Sequence, residues 1–298
     1  MKRVTLPRYI LERQKEHSFA TGEFSILLSQ IALAGKIIAD ELVHAGLADV
    51  LGRTGAVNVQ GEEVQKLDEL ANEVFISALQ FSGLVCTLVS EEMAEATNFP
   101  GASAEGRYVV LVDPLDGSSN IDNNGPVGSI FSIQRRVNLK SPPSDEDILQ
   151  KGSRLLAAGY ILYGPSTVLV YSTGNGVQGF TLDRRIGEFV LSHPEIKVPK
   201  RGKTYSVNCG RYAYWHPWTQ KYFDYVNAVD APTKRPYSLR YIGALVADMH
   251  RTLLDGGIFL YPADTSNPKR PTGKLRLLYE AFPMAYLMEQ AGGRAITG

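Results

Sequence analysis

Two apolar runs in this chain each end on carboxylates. Tyr108-Val109-Val110-Leu111-Val112 leads straight into Asp113-Pro114-Leu115-Asp116-Gly117-Ser118-Ser119-Asn120-Ile121-Asp122, and Leu84 to Val89 ends in Ser90-Glu91-Glu92. Oxygen-only donors of this kind suit Mg²⁺ or Mn²⁺ and not Zn²⁺. Two carboxylates about 4 Å apart repel by roughly 4 kcal/mol at an effective dielectric near 20. Gathering Glu91, Glu92, Asp113 and Asp116 therefore calls for protons or cations. Few basic residues stand nearby in the sequence, so divalent ions are the expected counter-charge. Pro114 is expected to stiffen a turn that aims Asp113 and Asp116 at one point. Gly117-Ser118-Ser119 reads as a helix start whose free N–H groups favour an anion. A lone D-x-x-D pair is most often a solvated turn, but here it closes a buried-looking strand beside a second acid pair. The implied chemistry is a metal-held phosphate. The histidines (His17, His44, His193, His216, His250) are scattered without ligand spacing, which argues against zinc.

Composition limits the alternatives. The chain has 298 residues, 44% hydrophobic and 21% charged, enough for one large or two medium globular domains. Lys+Arg and Asp+Glu are both 31, so there is no basic excess for general nucleic-acid or membrane-surface binding. No apolar run reaches the roughly 18 residues of a membrane span, and the N-terminus lacks a signal-peptide core. Cys86 and Cys209 are the only cysteines, too few for a disulfide framework. A cytoplasmic location is expected, or an organellar one if a transit peptide has been removed.

The elements that must position these acids follow from periodicity. Thr21-Gly22-Glu23 opens a helix, with Thr21 as N-cap, whose Leu27, Leu28, Ile31, Ala34, Ile38 and Leu42 share one face and which stops at Gly46. Residues 52–63 read as a loop, and a second amphipathic helix carries Leu67, Leu70, Ala71, Val74 and Ala78. Strands are expected at 84–89, 108–112, 129–135, 155–162, 167–172, 176–182 and 187–191, with a surface loop at 141–147. Beyond about 195, Ser206-Val207-Asn208 ends a strand, helices span 214–229 and 244–254, and 257–261 is a buried strand. A last helix over 275–290 is interrupted by Pro283 and stopped by Gly292-Gly293. The pattern suggests α/β (α+β) layers with a boundary near 190–200, giving halves of 1–195 and 196–298.

The stretch Asp113 to Asp122 resembles the class I fructose-1,6-bisphosphatases, within a superfamily of metal-dependent, lithium-sensitive sugar phosphatases that shares the D-P-x-D-G-[ST] core. Supporting stretches are Gln65-Lys66-Leu67-Asp68, Val246 to Leu253, Gly256 to Ala263 and Gly273 to Glu280. The resemblance runs from about Thr21 to the last residue. It implies a layered α/β sandwich of alternating helices and sheets, with an N-terminal regulatory half and a C-terminal half that closes over substrate. It implies Mg²⁺-dependent hydrolysis of fructose 1,6-bisphosphate, with two or three Mg²⁺ per subunit and Mn²⁺ as a substitute. Glu91, Asp113, Asp116, Glu280 and the Leu115 carbonyl resemble the metal ligands. Asp68 and Glu92 resemble the pair that orients the attacking water and takes its proton. Glu62 stands where the family usually has an aspartate of a mobile catalytic loop. Asp116, Gly117, Ser118 and Ser119 fall at the reacting phosphate and Arg276 at the metal end. Asn208, Tyr212, Tyr241, Tyr261 and Lys274 match the residues that hold the 6-phosphate and sugar. Arg240 matches an arginine that reaches a neighbouring subunit's 6-phosphate, which implies a homo-oligomer, in the family a homotetramer.

An AMP site is also implied, at Thr21, Gly22, Glu23 and Ser25, with Tyr108 and Arg135 as distant partners and Arg107 in place of the usual lysine. Its plain alternative is a capped helix. The chain ends at Gly298, where family members continue for a few tens of residues. Either a truncation or a missing terminal strand is expected there, and an uncovered edge would be a liability. Sedoheptulose 1,7-bisphosphate is a rival or second substrate. A catalytically silent AMP-binding or scaffold protein on the same fold is a rival of another class. An inositol monophosphatase would not require Asn208, Tyr241, Tyr261 and Lys274.

Overall fold

In the computed structural model, residues 3–15, 22–45, 53–57, 63–100, 106–266 and 273–297 are described. Thr21, Gly46 and Glu62 lie outside them. In chain order the elements are helices α1 (Leu6–Gln14) and α2 (Glu23–His44), strands β1 (Arg53–Val57) and β2 (Glu63–Gln65), and helix α3 (Lys66–Phe81). Strands β3 (Val85–Ser90), β4 (Thr97–Asn98), β5 (Tyr108–Asp116) and β6 (Val127–Arg135) follow, then helix α4 (Asp145–Ile148). Next come β7 (Ala157–Tyr163), β8 (Thr167–Ser172), β9 (Val177–Asp183), β10 (Glu188–Ile196) and β11 (Thr204–Ser206). The chain continues with α5 (Pro217–Asn227), β12 (Ser238–Leu239), α6 (Leu245–Asp255), β13 (Ile258–Phe259) and α7 (Phe282–Gln290).

Eight strands form one sheet in the order β10-β9-β8-β7-β6-β5-β3-β4. Only β3 and β5 run parallel; the other neighbours are antiparallel. Side chains alternate between two cores, as a strand's period of two requires. Phe131, Ile133, Ala157, Ile161, Leu169 and Tyr171 pack under α1, α2 and α3. Ile130, Ala158, Tyr160, Val168 and Val170 pack against α6 and α7 on the opposite face. A sheet covered on both faces explains why its strands read as unbroken apolar runs. Beyond α6 lies a parallel three-stranded sheet, β12-β11-β13. Tyr205 and Val207 from it bury against Trp215 and Val226, with Phe223 packed on the cluster. The result is the expected layered α/β sandwich, helices alternating with sheets.

Several elements differ from expectation. Residues 53–57, inside the stretch 52–63 expected to be a loop, pair antiparallel with 63–65 at its end; a two-stranded ribbon needs no core-facing alternation, so periodicity does not mark it. Helix α1 went unpredicted because only Leu6 and Ile10 are buried in its nine residues. The surface loop at 141–147 contains α4, capped by Ser144, and Asp147 is buried, accepting from Val137 N (2.7 Å) and Ser144 N (3.0 Å). The strand expected at 257–261 is reduced to a half-buried pair of residues, Ile258–Phe259. Pro283 does not interrupt a helix. It stands one residue past the junction at which a π-helical turn, Leu277–Ala281, runs directly into α7, so its missing N–H falls where the regular bonding ladder is already changing register.

Gly35 sets the approach of α2 to the sheet. A Cβ there would lie 2.2 Å from Ile161 Cδ1. Gly35→Ala should therefore destabilise the fold by about 1–3 kcal/mol through overpacking, despite alanine's better helix propensity. Adding Ile161→Val should recover part of the loss. Strictly additive effects of the two changes on thermal unfolding would contradict this contact.

Candidate active site

The acids are gathered by strand geometry. Beyond the paired Ser90 and Val112, Glu91 N still donates to Val112 O at 3.0 Å, so Glu91 sits level with Asp113 of β5. The expected turn at Pro114 is not a turn: β5 continues through Asp116. Two residues three apart on a regular strand point to opposite faces. Here the register slips between Asp113, opposite Ile130, and Asp116, opposite Gly128. This irregularity supplies the extra residue that returns Asp116 to the side of Asp113. Glu280 arrives from the π-helical turn, in which the N–H groups of both Glu280 and Ala281 reach Arg276 O (3.1 and 3.0 Å). Widened turns of this kind recur at functional sites. Ligand oxygens of Asp113, Asp116 and Glu280 all lie within 4.8 Å of one another, and all three residues are buried.

Electrostatics follow from that crowding. Burial, then Glu91, Asp116 and Glu280, hold the Asp113 carboxyl well above the ordinary carboxylate range, and it is hydrogen-bonded to Glu91. Burial pushes Asp116 up to about 7, against the opposing pull of the Val246 and Leu245 backbone amides. Val246 N donates to Asp116 Oδ2 at 2.7 Å. Burial likewise pushes Glu280 up to about 8, against the pull of Arg276. The expectation of few basic partners is corrected by tertiary structure. Arg276 Nη2 lies 2.6 Å from Glu91 Oε1 and Nη1 lies 3.6 Å from Glu280 Oε1. Its backbone N–H also donates to Glu280. An all-oxygen, buried, proton-retaining group of acids fits a hard divalent cation.

A cleft of about 420 Å³ opens on this group. Asp116, Glu280 and Arg276 line its base, Gly117, Ser118 and Ser119 one side, and Tyr241, Gly243, Leu245 and Asp248 another, with Phe259, Tyr261, Leu275 and Gln65 completing it. The expected helix at Gly117-Ser118-Ser119 is a short 3-10 helix, Ser118–Asn123. Gly117 is required twice over: its φ is +77°, and a Cβ would lie 2.5 Å from that of Ala244.

The remaining candidates fall in different places. Asp68 is buried in the first turn of α3, where Oδ2 accepts from Gln65 N at 2.9 Å. Glu92 follows Glu91 and is partly buried. Leu115 is buried in the strand irregularity, its N–H on Asp113 Oδ1 (3.2 Å). Asn208 hydrogen-bonds Tyr241. Lys274 lines an adjoining open depression along residues 273–279, not the cleft itself. Arg240 is exposed outside the cleft lining, with Nη1 on Leu239 O (2.9 Å). Tyr212 is also outside that lining: its hydroxyl donates to Asp224 (3.1 and 3.2 Å) and its ring packs on Trp215 and Phe223. At the far end of β5, Gly22 begins α2, Glu23 pairs with Arg107 at 3.3 Å, and Ser25 Oγ donates to Gln14 (3.0 Å). Tyr108 tilts against Phe24 and stands opposite Arg135. Sequence reasoning missed the cleft residues Gln65, Gly243, Leu245, Asp248 and Phe259. No spacing flags them, because they reach the cleft from separate elements: the end of β2, the link before α6, α6 itself and β13.

Fold and site together define a class: layered α/β proteins that collect buried carboxylates at the end of a central strand, beside a polar cleft. Comparison with known proteins narrows it. The sequence model described as "Fructose-1-6-bisphosphatase, N-terminal domain" matches residues 4–194 and its "C-terminal domain" counterpart residues 198–298. The chain is 55% identical to "Fructose-1,6-bisphosphatase class 1" of Nitratidesulfovibrio vulgaris over all of this chain and 89% of the relative. It is 53% identical to the protein of the same name from Chloroherpeton thalassium, over 99% of this chain and 84% of the relative. The crystal structure of Leishmania major fructose-1,6-bisphosphatase in holo form superposes with a TM-score of 0.90 at 44% identity, covering 98% of this chain and 88% of that one. The chain belongs to the fructose-1,6-bisphosphatase family.

The raised carboxyls carry a pH signature. Asp116 and Glu280 titrate near 7 and 8 in the folded protein, against about 3.9 and 4.3 when unfolded. Above the unfolded values the native state holds the extra protons, so their contribution to stability falls as pH rises through this window. Metal-free protein should lose thermal stability as pH rises from about 4 to about 8, and Glu280→Gln should lose less over the same range. Mg²⁺ should raise the unfolding temperature more at the higher pH. A metal-induced gain that is equal at both ends would contradict this electrostatic account.

Proposed function

We propose that this chain hydrolyses fructose 1,6-bisphosphate to fructose 6-phosphate and phosphate, with Mg²⁺ as the working ion and Mn²⁺ as a substitute. The observation that carries the reading is the convergence of Asp113, Asp116 and Glu280 on the cleft lined by Ser118, Ser119, Tyr241 and Tyr261. These three acids, with Glu91 and the Leu115 carbonyl, would hold two or three ions. Bound divalent ions supply charge to the phosphoryl oxygens and make a water acidic enough to attack. The protein's own residues do the rest. Gly117, Ser118 and Ser119 hold the reacting phosphate by N–H and hydroxyl donors. Asp68 and Glu92, with Glu62, orient the water and receive its proton. Arg276 balances charge at the metal end. Asn208, Tyr212, Tyr241, Tyr261 and Lys274 bind the remote phosphate and sugar, supplying binding energy away from the reacting bond. Arg240 serves the same phosphate in a neighbouring subunit of a homotetramer. The halves 1–195 and 196–298 divide these tasks, the first carrying most metal ligands and the second most of the remote site.

We also infer an AMP site at Gly22, Glu23, Ser25, Arg107, Tyr108 and Arg135, with Thr21 completing it. What supports it is the Glu23–Arg107 pair, which puts a cation beside a helix N-terminus, with Arg135 opposite Tyr108 on the neighbouring strand. AMP should inhibit turnover, and Arg107→Ala should weaken that inhibition; turnover unaffected by millimolar AMP would remove the site.

Phosphate release from fructose 1,6-bisphosphate should rise with Mg²⁺ titration from near zero. Asp116→Ala should lower kcat by roughly 10²–10³-fold or more while far-ultraviolet circular dichroism stays native. Retained activity in that variant would break the proposed mechanism. Parallel kinetics on sedoheptulose 1,7-bisphosphate rank the two sugars.

A further inference from the structure

Residues 240–244 form the link between β12 and α6, and they carry Tyr241 and Gly243 to the cleft wall. The link has little ladder support: Arg240 N donates to Tyr205 O at 2.9 Å. Most of its other anchors come from α6. Asp248, wholly buried, accepts from Ile242 N (3.2 Å to Oδ1, 3.1 Å to Oδ2) and from Gly243 N (3.1 Å). Arg251 Nη2 donates both to Asp248 Oδ1 and to Arg240 O, each at 2.7 Å. Among the described residues the buried Arg251 Nε has no hydrogen-bond partner, and the guanidinium is oriented through Nη2. Asn120 Nδ2 reaches Ile242 O from the other side at 3.4 Å. Three polar groups of the link, at residues 240, 242 and 243, thus end on one ion pair.

We propose that Asp248, oriented by Arg251, is a positioning residue for the remote end of the substrate: it fixes the 240–243 link so that Tyr241 and Arg240 present to the second phosphate. The proposal rests on the bisphosphate reading given above. A buried carboxylate is costly unless fully paired, and charge-assisted bonds from backbone N–H groups are short and directional. An apolar side chain would fill the same volume at lower cost but would leave two N–H groups without acceptors and the Arg251 guanidinium without its carboxylate. The metal end is held by a different group of the same helix. Asp116 is bonded by the amide of Val246, in the first turn of α6, and not by the Asp248 carboxylate.

The test is Asp248→Asn, which keeps the shape but leaves one accepting oxygen for donors that now use two. For fructose 1,6-bisphosphate, KM should rise roughly 10- to 100-fold with kcat within about threefold. With p-nitrophenyl phosphate, which has no second phosphate, kcat/KM should stay within about threefold of wild type. The Mg²⁺ concentration for half-activation should not move. Arg251→Lys should give a smaller KM rise, and Arg240→Ala combined with Asp248→Asn should lose less than the product of the single effects. Equal losses on both substrates would show a merely structural role and overturn the proposal, as would an unchanged KM. Should Asp248→Asn not fold, Arg251→Gln, at a side chain 18% exposed, is judged by the same criteria. Wild-type protein without bisphosphate turnover removes both readings; active wild type with an unmoved variant removes this one alone.

Discussion

Everything at this site depends on holding Glu91, Asp113, Asp116 and Glu280 together away from water. Burial is the first cause of the upward shift at Asp113, Asp116 and Glu280, and mutual repulsion adds to it. Such a group persists only because compensation is built around it. Arg276 faces Glu91 and Glu280, and the first amides of α6 face Asp116. The fold's task is to place these compensating groups before any ligand arrives.

The large sheet performs that task because both its faces are covered. With α1, α2 and α3 on one side and α6 and α7 on the other, the interior strands cannot slide without exposing a core. A fixed register lets one irregularity in β5 have a definite consequence, the return of Asp116 to the side of Asp113. Helix α6 then works in two directions. Its first amides bind Asp116, and its Asp248 binds the link that carries Tyr241. Substrate and metal ends are tied to one rigid element.

Much of this was legible in the sequence where side-chain type and period determine the outcome. Strand 167–172 lies where its pattern places it, and α2 and α3 bury the faces that their spacing marks. The acids at 91, 113 and 116 were readable because they end apolar runs. What the sequence hid was produced by tertiary packing. The strand irregularity looks like a proline turn, since Pro114 fits either. The π-helical turn under Glu280 looks like an ordinary helix. Arg276 looks remote because 160 residues separate it from Asp116 in the chain, and nothing in local spacing reports a closure of that length. Asp248 stands in a stretch that carries the family resemblance, yet nothing in its local spacing reports that it has no exposed surface.

Arg276 sets the limit of what the protein can balance alone. One guanidinium touching Glu91 and Glu280 cannot neutralise four ionised carboxylates, and the repulsion of Glu91, Asp116 and Glu280 converges on Asp113. The remaining charge must be met by protons at low pH or by cations at higher pH. Both alternatives act on the same oxygens, so occupancy of the site and the pH of the medium are coupled by necessity. A site built this way binds its ions more tightly as its carboxyls lose their protons. The π-helical turn matters here because it holds Glu280 and Arg276 on a common backbone bond, so that whatever displaces the guanidinium from Glu280 must move within the geometry of that one turn.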